Sequence, residues 1–123
     1  MDSKDYIVMF RTQKHFEVDI KKGDAVCLVG PFTISNKGYT YKKVLGEARE
    51  DCTENNVEIP VLVRGIGRFR ADKRSYISKG EYIHLNYGVS MSSTPGQVRI
   101  KRCDSCTTGM VLDFKNGTAI VLL

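Results

Sequence analysis

No window of this chain keeps apolar residues at i, i+3, i+4 and i+7, the spacing that gives a helix one buried stripe. β-branched, aromatic and glycine residues recur instead in short runs broken by turn formers, which is the pattern of strands. The predicted strands are Tyr6–Phe10, Ala25–Val29, Tyr39–Val44, Glu58–Gly65, Arg68–Ala71, Tyr82–Asn86, Gln97–Lys101, Gly109–Phe114 and Thr118–Leu123. Asn116-Gly117 separates two apolar runs and predicts a hairpin with a type I′ turn, whose two central residues both need positive φ. Pro95-Gly96 fits the centre of a type II turn, and Asn36-Lys37-Gly38 fits a tight reversal. The expected fold class is all-β, a small barrel or sandwich of short antiparallel strands.

The pattern also repeats. Ile20-Lys21-Lys22-Gly23-Asp24-Ala25-Val26-Cys27-Leu28 aligns without gaps on Ile77-Ser78-Lys79-Gly80-Glu81-Tyr82-Ile83-His84-Leu85, 57 residues further on. Gly46-Glu47-Ala48 followed by Glu58–Val63 resembles Gly109-Met110-Val111 followed by Thr118–Leu123, at offsets of 63 and 60. Each copy reads as a Lys-Gly turn, a Gly that opens a strand, and a long apolar strand that returns. Gly23 and Gly80 are expected to supply positive φ that a Cβ would resist. The halves are therefore expected to be pseudo-duplicated, with residues 18–123 as one β-barrel domain and residues 1–17 as an N-terminal arm or edge strand. The apolar Tyr6–Phe10 run must either complete the sheet or pair with another chain.

Composition narrows the function more than the fold. With 123 residues, 41% hydrophobic and 27% charged, the chain is expected to form one packed domain, and a large multi-domain enzyme is not expected. The polar start and the lack of any run near the roughly 20 apolar residues of a membrane span lead us to expect neither a secretory signal nor a membrane protein. Cys27, Cys52, Cys103 and Cys106 are then expected to be reduced.

Catalytic candidates are few. Cys103-Asp104-Ser105-Cys106 has the spacing of half a zinc site, but Cys27 and Cys52 stand 25 residues apart and outside any short knuckle. As a redox pair it would need a helix N-terminus to lower a thiol pKa, and it lies between predicted strands. His15 and His84 lack partners in local sequence, and Arg64-Gly65-Ile66-Gly67-Arg68 has neither the third Gly nor the helix of a dinucleotide site. No enzyme activity, cofactor or metal is expected.

Charge placement says more. The net charge is +5, yet Glu47–Glu58 holds five acids against Arg49, and Arg64–Arg74 holds five bases against Asp72. Neighbouring segments therefore carry opposite fields. Strand alternation turns Phe69 inward and Arg68 and Arg70 outward. One reading is an OB-like or SH3-like barrel that grips nucleic acid through Arg64–Arg74, although stacking aromatics are not evident beside it. Another is a protein-binding surface.

The order of these elements resembles the bacteriophage capsid decoration, or cement, proteins of the small β-barrel type. The resemblance runs over about residues 18–123, through Ile20–Val26, Val29-Gly30-Pro31-Phe32, Gly46-Glu47-Ala48, Val61–Phe69, Ile77–Ile83 and the closing Gly109–Leu123 hairpin. This chain departs from the family in its basic Arg64–Arg74 segment, its Glu81 and its four cysteines. The resemblance implies a virion structural protein, made in the bacterial host cytoplasm, that binds the outer capsid surface. It would bridge copies of the major capsid protein, as a homo-oligomer and most simply a trimer. Partner-binding residues would be Arg64, Arg68, Arg70, Lys73 and Arg74, meeting acidic capsid surface, with Tyr6, Met9 and Phe10 docking on a neighbour. Nucleic acid and membrane are not expected partners.

Overall fold

The computed structural model describes residues 5–38, 41–75 and 86–123, and every named element is a strand. These are β1 (Tyr6–Thr12), β2 (Ala25–Gly30), β3 (Thr33–Ser35), β4 (Gly46–Ala48), β5 (Glu58–Arg64), β6 (Ile66–Arg70), β7 (Tyr87–Met91), β8 (Val98–Arg102), β9 (Met110–Lys115) and β10 (Thr118–Leu122). The first five close into a barrel in the order β1-β3-β2-β4-β5. β6, β10 and β9 form a three-stranded antiparallel sheet with β10 in the middle, and β7 pairs with β8. No helix among the described residues is long and apolar enough to cross a membrane.

The strands depart from expectation in definite places. β3 and β4 are three residues each, too short for alternation to announce them. β7 contains Gly88 and Ser90, so its sequence lacks an apolar run although all five residues are buried. Where Tyr39–Val44 was expected, Tyr39 and Thr40 lie outside the described residues and Tyr41–Val44 is no strand; Lys43 makes a single bridge to Ser90. Tyr82–Leu85 and the second repeat copy, Ile77–Leu85, also lie outside the described residues. Gly65, at φ +125°, ends β5 and turns the chain directly into β6, which starts at Ile66. Among the named strands the parallel pairing is that of β1 with β3, with Arg11 opposite Thr33 and Thr12 opposite Ile34.

Residues Tyr6–Thr12 form a stave of the barrel, antiparallel to β5 along most of their length. Phe10 is 7% exposed, packed in the barrel core and stacked on Phe32 with ring centroids 6.0 Å apart. Its expected role as a docking residue is corrected accordingly, because a side chain inside the barrel has no surface to offer.

The described residues form two cores, and β2 is the wall between them. Val26 faces the barrel interior with Phe10, Ile20, Ile34, Ile59 and Val61. Its neighbours Ala25 and Cys27 face the second core, built from Phe69, Tyr87, Val89, Met91, Val98, Ile100, Val111 and Val121. A strand covered on both faces is uniformly apolar, which explains Ala25-Val26-Cys27. Burial correspondingly pushes the Cys27 thiol pKa up.

The turn chemistry follows the residue types. Asn116 and Gly117 both have positive φ, 53° and 76°, as a type I′ turn requires. Gly96, at φ +77°, packs against the carboxylate of the buried Asp24, which is 2% exposed. Asp24 accepts hydrogen bonds from the Lys21 N–H (2.9 Å), the Asn36 side-chain amide (2.9 Å) and the Arg70 guanidinium (2.6 Å). The backbone around it is tied too: Ala25 donates to Gly96, Gly96 to Asn36, and Ala48 to Asp24.

The Gly46 and Gly109 units share one packing rule. A Cβ on Gly46 would strike the Leu62 carbonyl and the Val61 side chain; one on Gly109 would strike the Leu122 carbonyl and the Val121 side chain. Leu62 and Leu122, like Val61 and Val121, occupy matching positions 60 residues apart. In both copies a glycine lets one strand cross close over its returning partner.

Gly46→Ala and Gly109→Ala should each lose at least about 2 kcal/mol, whereas Gly117→Ala, strained but in open space, should lose about 1 kcal/mol. Urea unfolding of the three variants measures this; equal losses would refute the shared crossing. Asp24→Ala should lose about 3 kcal/mol because it takes the acceptor from the buried Asn36 amide, the Lys21 N–H and Arg70 together, while Arg70→Met, removing an exposed partner, should lose about 1 kcal/mol or less in the same assay.

Candidate functional site

The register of the three-stranded sheet composes one exposed surface. Facing outward, Ile66, Leu122 and Met110 form a row across β6, β10 and β9, being 41%, 43% and 40% exposed. The next row is Arg68, Ile120 and Asp113, and the third is Arg70, Thr118 and Lys115. A register shift on β9 adds the exposed Leu112 beside the first two. The inward residues Gly67, Phe69, Val111, Ala119 and Val121 are buried. The result is a strip of apolar side chains bordered by guanidinium and ammonium groups.

Arg68 and Arg70 lie on this surface, but neither is only a surface charge. The Arg68 backbone N–H donates to Glu47 of β4 at 3.1 Å, which satisfies a carboxylate that is 8% exposed and ties the sheet to the barrel. Arg70 pairs with Asp24 at 2.6 Å while its side chain stays 59% exposed. Arg64 lies at the end of β5 in register with Tyr6 of β1, one glycine before Ile66. Tyr6, Ile7 and Met9 are exposed there; a register shift between Tyr6 and Ile7 turns two successive side chains to solvent.

Lys73 and Arg74 are placed elsewhere. They follow β6 and, with Asp72, Ser93, Thr94, Gln97 and Arg99, line an open pocket of about 430 Å³. Asp72 holds this corner together. Its Oδ2 accepts from Ser92 Oγ at 2.5 Å and from Arg99 Nε and Nη2 at 3.3 and 3.2 Å, and its Oδ1 accepts from the Arg74 N–H at 3.0 Å. Burial by itself would raise the Asp72 pKa, but the hydrogen bonds from Ser92, Arg99 and Arg74 and the Arg99 charge outweigh it and hold the carboxyl below its usual range.

The structure thus divides the basic segment between the sheet face, with Arg68 and Arg70, the barrel edge, with Arg64 and Tyr6, and the pocket, with Lys73 and Arg74. The apolar row and Arg99 were missed in sequence. Ile66 is in step with Arg68 and Arg70 and could have been read as outward, but the partners on β9 and β10 become neighbours only through register. The acid-rich stretch lines a separate groove of about 390 Å³ that includes Glu50, Asp51, Glu54 and Glu58.

Cys103-Asp104-Ser105-Cys106 is a turn in which the Asp104 carboxylate accepts the Cys106 N–H at 2.7 Å, and that bond holds the Asp104 pKa down. Among the described residues no group of three or more His, Cys, Asp and Glu side chains is gathered to hold a metal ion. No protein-family model matches the chain, and no curated protein sequence matches it.

Because the folded Asp72 pKa is depressed, its stabilisation is complete above the unfolded aspartate value of about 3.9 and disappears as pH falls through the folded value. Asp72→Asn should lose about 2 kcal/mol at pH 7, and the gap from the native chain should narrow below about pH 4. Urea midpoints taken between pH 3 and 7 check this; a gap independent of pH would contradict it.

Proposed function

We propose that this chain is a non-enzymatic virion structural protein that binds the outside of an assembled bacteriophage capsid and bridges adjacent major capsid subunits. The motif order of residues 18–123 supports the reading. The observation that carries it is the outer face of the β6-β10-β9 sheet, where the apolar row Ile66, Leu122 and Met110 stands exposed beside Arg68 and Arg70. Apolar strips rimmed by polar and charged groups suit protein contact, since the apolar area drives association and the charges select the partner.

The mechanism is avidity. Each copy contributes a modest contact, while the capsid lattice presents sites at high effective concentration, so many weak attachments hold neighbouring subunits together. A homo-oligomer, most simply a trimer, would multiply the effect. The basic residues Arg64, Arg68 and Arg70 would meet acidic capsid surface, with Tyr6 and Met9 contacting a neighbour from the barrel edge.

Capsids of the phage whose genome carries this gene, purified without the protein and then mixed with it, should show added density on the outer shell and disassemble at a higher temperature. Ile66→Asp combined with Leu122→Asp should reduce occupancy at least tenfold while leaving thermal unfolding of the free chain nearly unchanged. Absence of outer density, or unchanged heat resistance of the shell, would overturn the proposal. Micromolar, steeply salt-dependent binding to single-stranded oligonucleotides would instead favour the nucleic-acid reading of Arg64–Arg74.

A further inference from the structure

The pocket beside Asp72 has the composition of an anion site. Among the described residues that line it, three are cations, Lys73, Arg74 and Arg99, against the single carboxylate of Asp72. That carboxylate is occupied: besides Ser92, Arg99 and the Arg74 N–H, it accepts Ser75 Oγ at 3.4 Å, so little of its lone-pair capacity faces the cavity. Its effect is to aim Arg99. The guanidinium, 18% exposed, gives Nε and Nη2 to Asp72, and among the described residues Nη1 has no hydrogen-bond acceptor.

The remaining donors arrive from other directions. Lys73 and Arg74 sit exposed on the loop after β6, and neither side chain has an ion pair among the described residues. Ser93 and Thr94 bring hydroxyls from the turn between β7 and β8, where the Thr94 N–H is bound to Ser92 Oγ at 3.0 Å. Ser92 thereby couples this turn to Asp72. Donors converging from three segments suit a tetrahedral oxyanion better than a flat carboxylate, and the formal excess of two positive charges suits a dianion.

We propose that this pocket binds a phosphate monoester or free phosphate, with Arg99 as the preset donor and Lys73 and Arg74 closing over the ligand from the rim. The pocket's lining shares no residue with the Ile66, Leu122 and Met110 row, so the proposal stands whether or not the chain binds a capsid.

Inorganic phosphate titrated into the whole chain at constant ionic strength, followed by calorimetry and by the thermal midpoint, tests this. Saturable binding with a rising midpoint is expected. The double variant Lys73→Ala, Arg74→Ala alters only exposed side chains and should weaken binding at least tenfold, while Arg68→Ala, on the sheet face, should leave it unchanged. A second arm compares one short oligonucleotide with and without a 5′-phosphate; only the phosphorylated form should compete with inorganic phosphate. A response that chloride reproduces, one that the double variant retains, or equal competition by the unphosphorylated oligonucleotide would overturn the assignment.

Discussion

The carboxylate of Asp24 is the point on which the arrangement of the three sheets depends. It lies at the entry to β2, buried to 2% exposure, and a charge so placed is tolerable only when its oxygens are fully engaged. The Lys21 N–H closes the turn into the barrel, Asn36 secures the end of β3, and Arg70 reaches in from the last residue of β6. Gly96 brings the turn between β7 and β8 so near that a Cβ would collide with the carboxylate. One side chain therefore joins the barrel, the three-stranded sheet and the β7-β8 pair.

That junction explains why the basic surface is double in character. Arg70 anchors its sheet through Asp24 and still presents most of its side chain to solvent, and Arg68 anchors through its backbone to Glu47 while its side chain remains outside. The sheet face is consequently fastened to the barrel at two points, through Arg70 to Asp24 and through the Arg68 N–H to Glu47. Lys73 and Arg74, one turn further along, belong to a corner organised by a second carboxylate, Asp72. Two aspartates thus assign Arg70 to the sheet face and Lys73 and Arg74 to the pocket, while Arg64 stays at the barrel edge.

Much of the fold could be read residue by residue. Asn116-Gly117 and Pro95-Gly96 took the conformations their residue types favour, because positive φ is a local demand that only a few residues meet cheaply. Phe69 was legible as inward and Arg68 and Arg70 as outward, since strand alternation is also local. The short strands β3 and β4 were not legible, because three residues carry no period. β7 was hidden for a different reason: Gly88 and Ser90 are buried by close packing rather than by apolar character. Phe10 was misjudged because an apolar run at the start of a chain looks the same whether it fills a barrel or reaches for a neighbour.

By itself the sequence determined the strand class, the turns, the alternation of faces and the opposed charge of adjacent segments, all of which follow from backbone preferences and side-chain period over a few residues. It also carried the spacing shared by Gly46 with Leu62 and Gly109 with Leu122, though not the reason for it. Tertiary structure decided that a glycine stands there so one strand can cross over a carbonyl of its partner. It also decided that β1 closes a barrel through a parallel pairing with β3, and that Ile66, Leu122 and Met110 form one row. Those outcomes depend on register between segments tens of residues apart, and register is set by which buried groups, above all Asp24 and Glu47, must find their partners when the sheets meet.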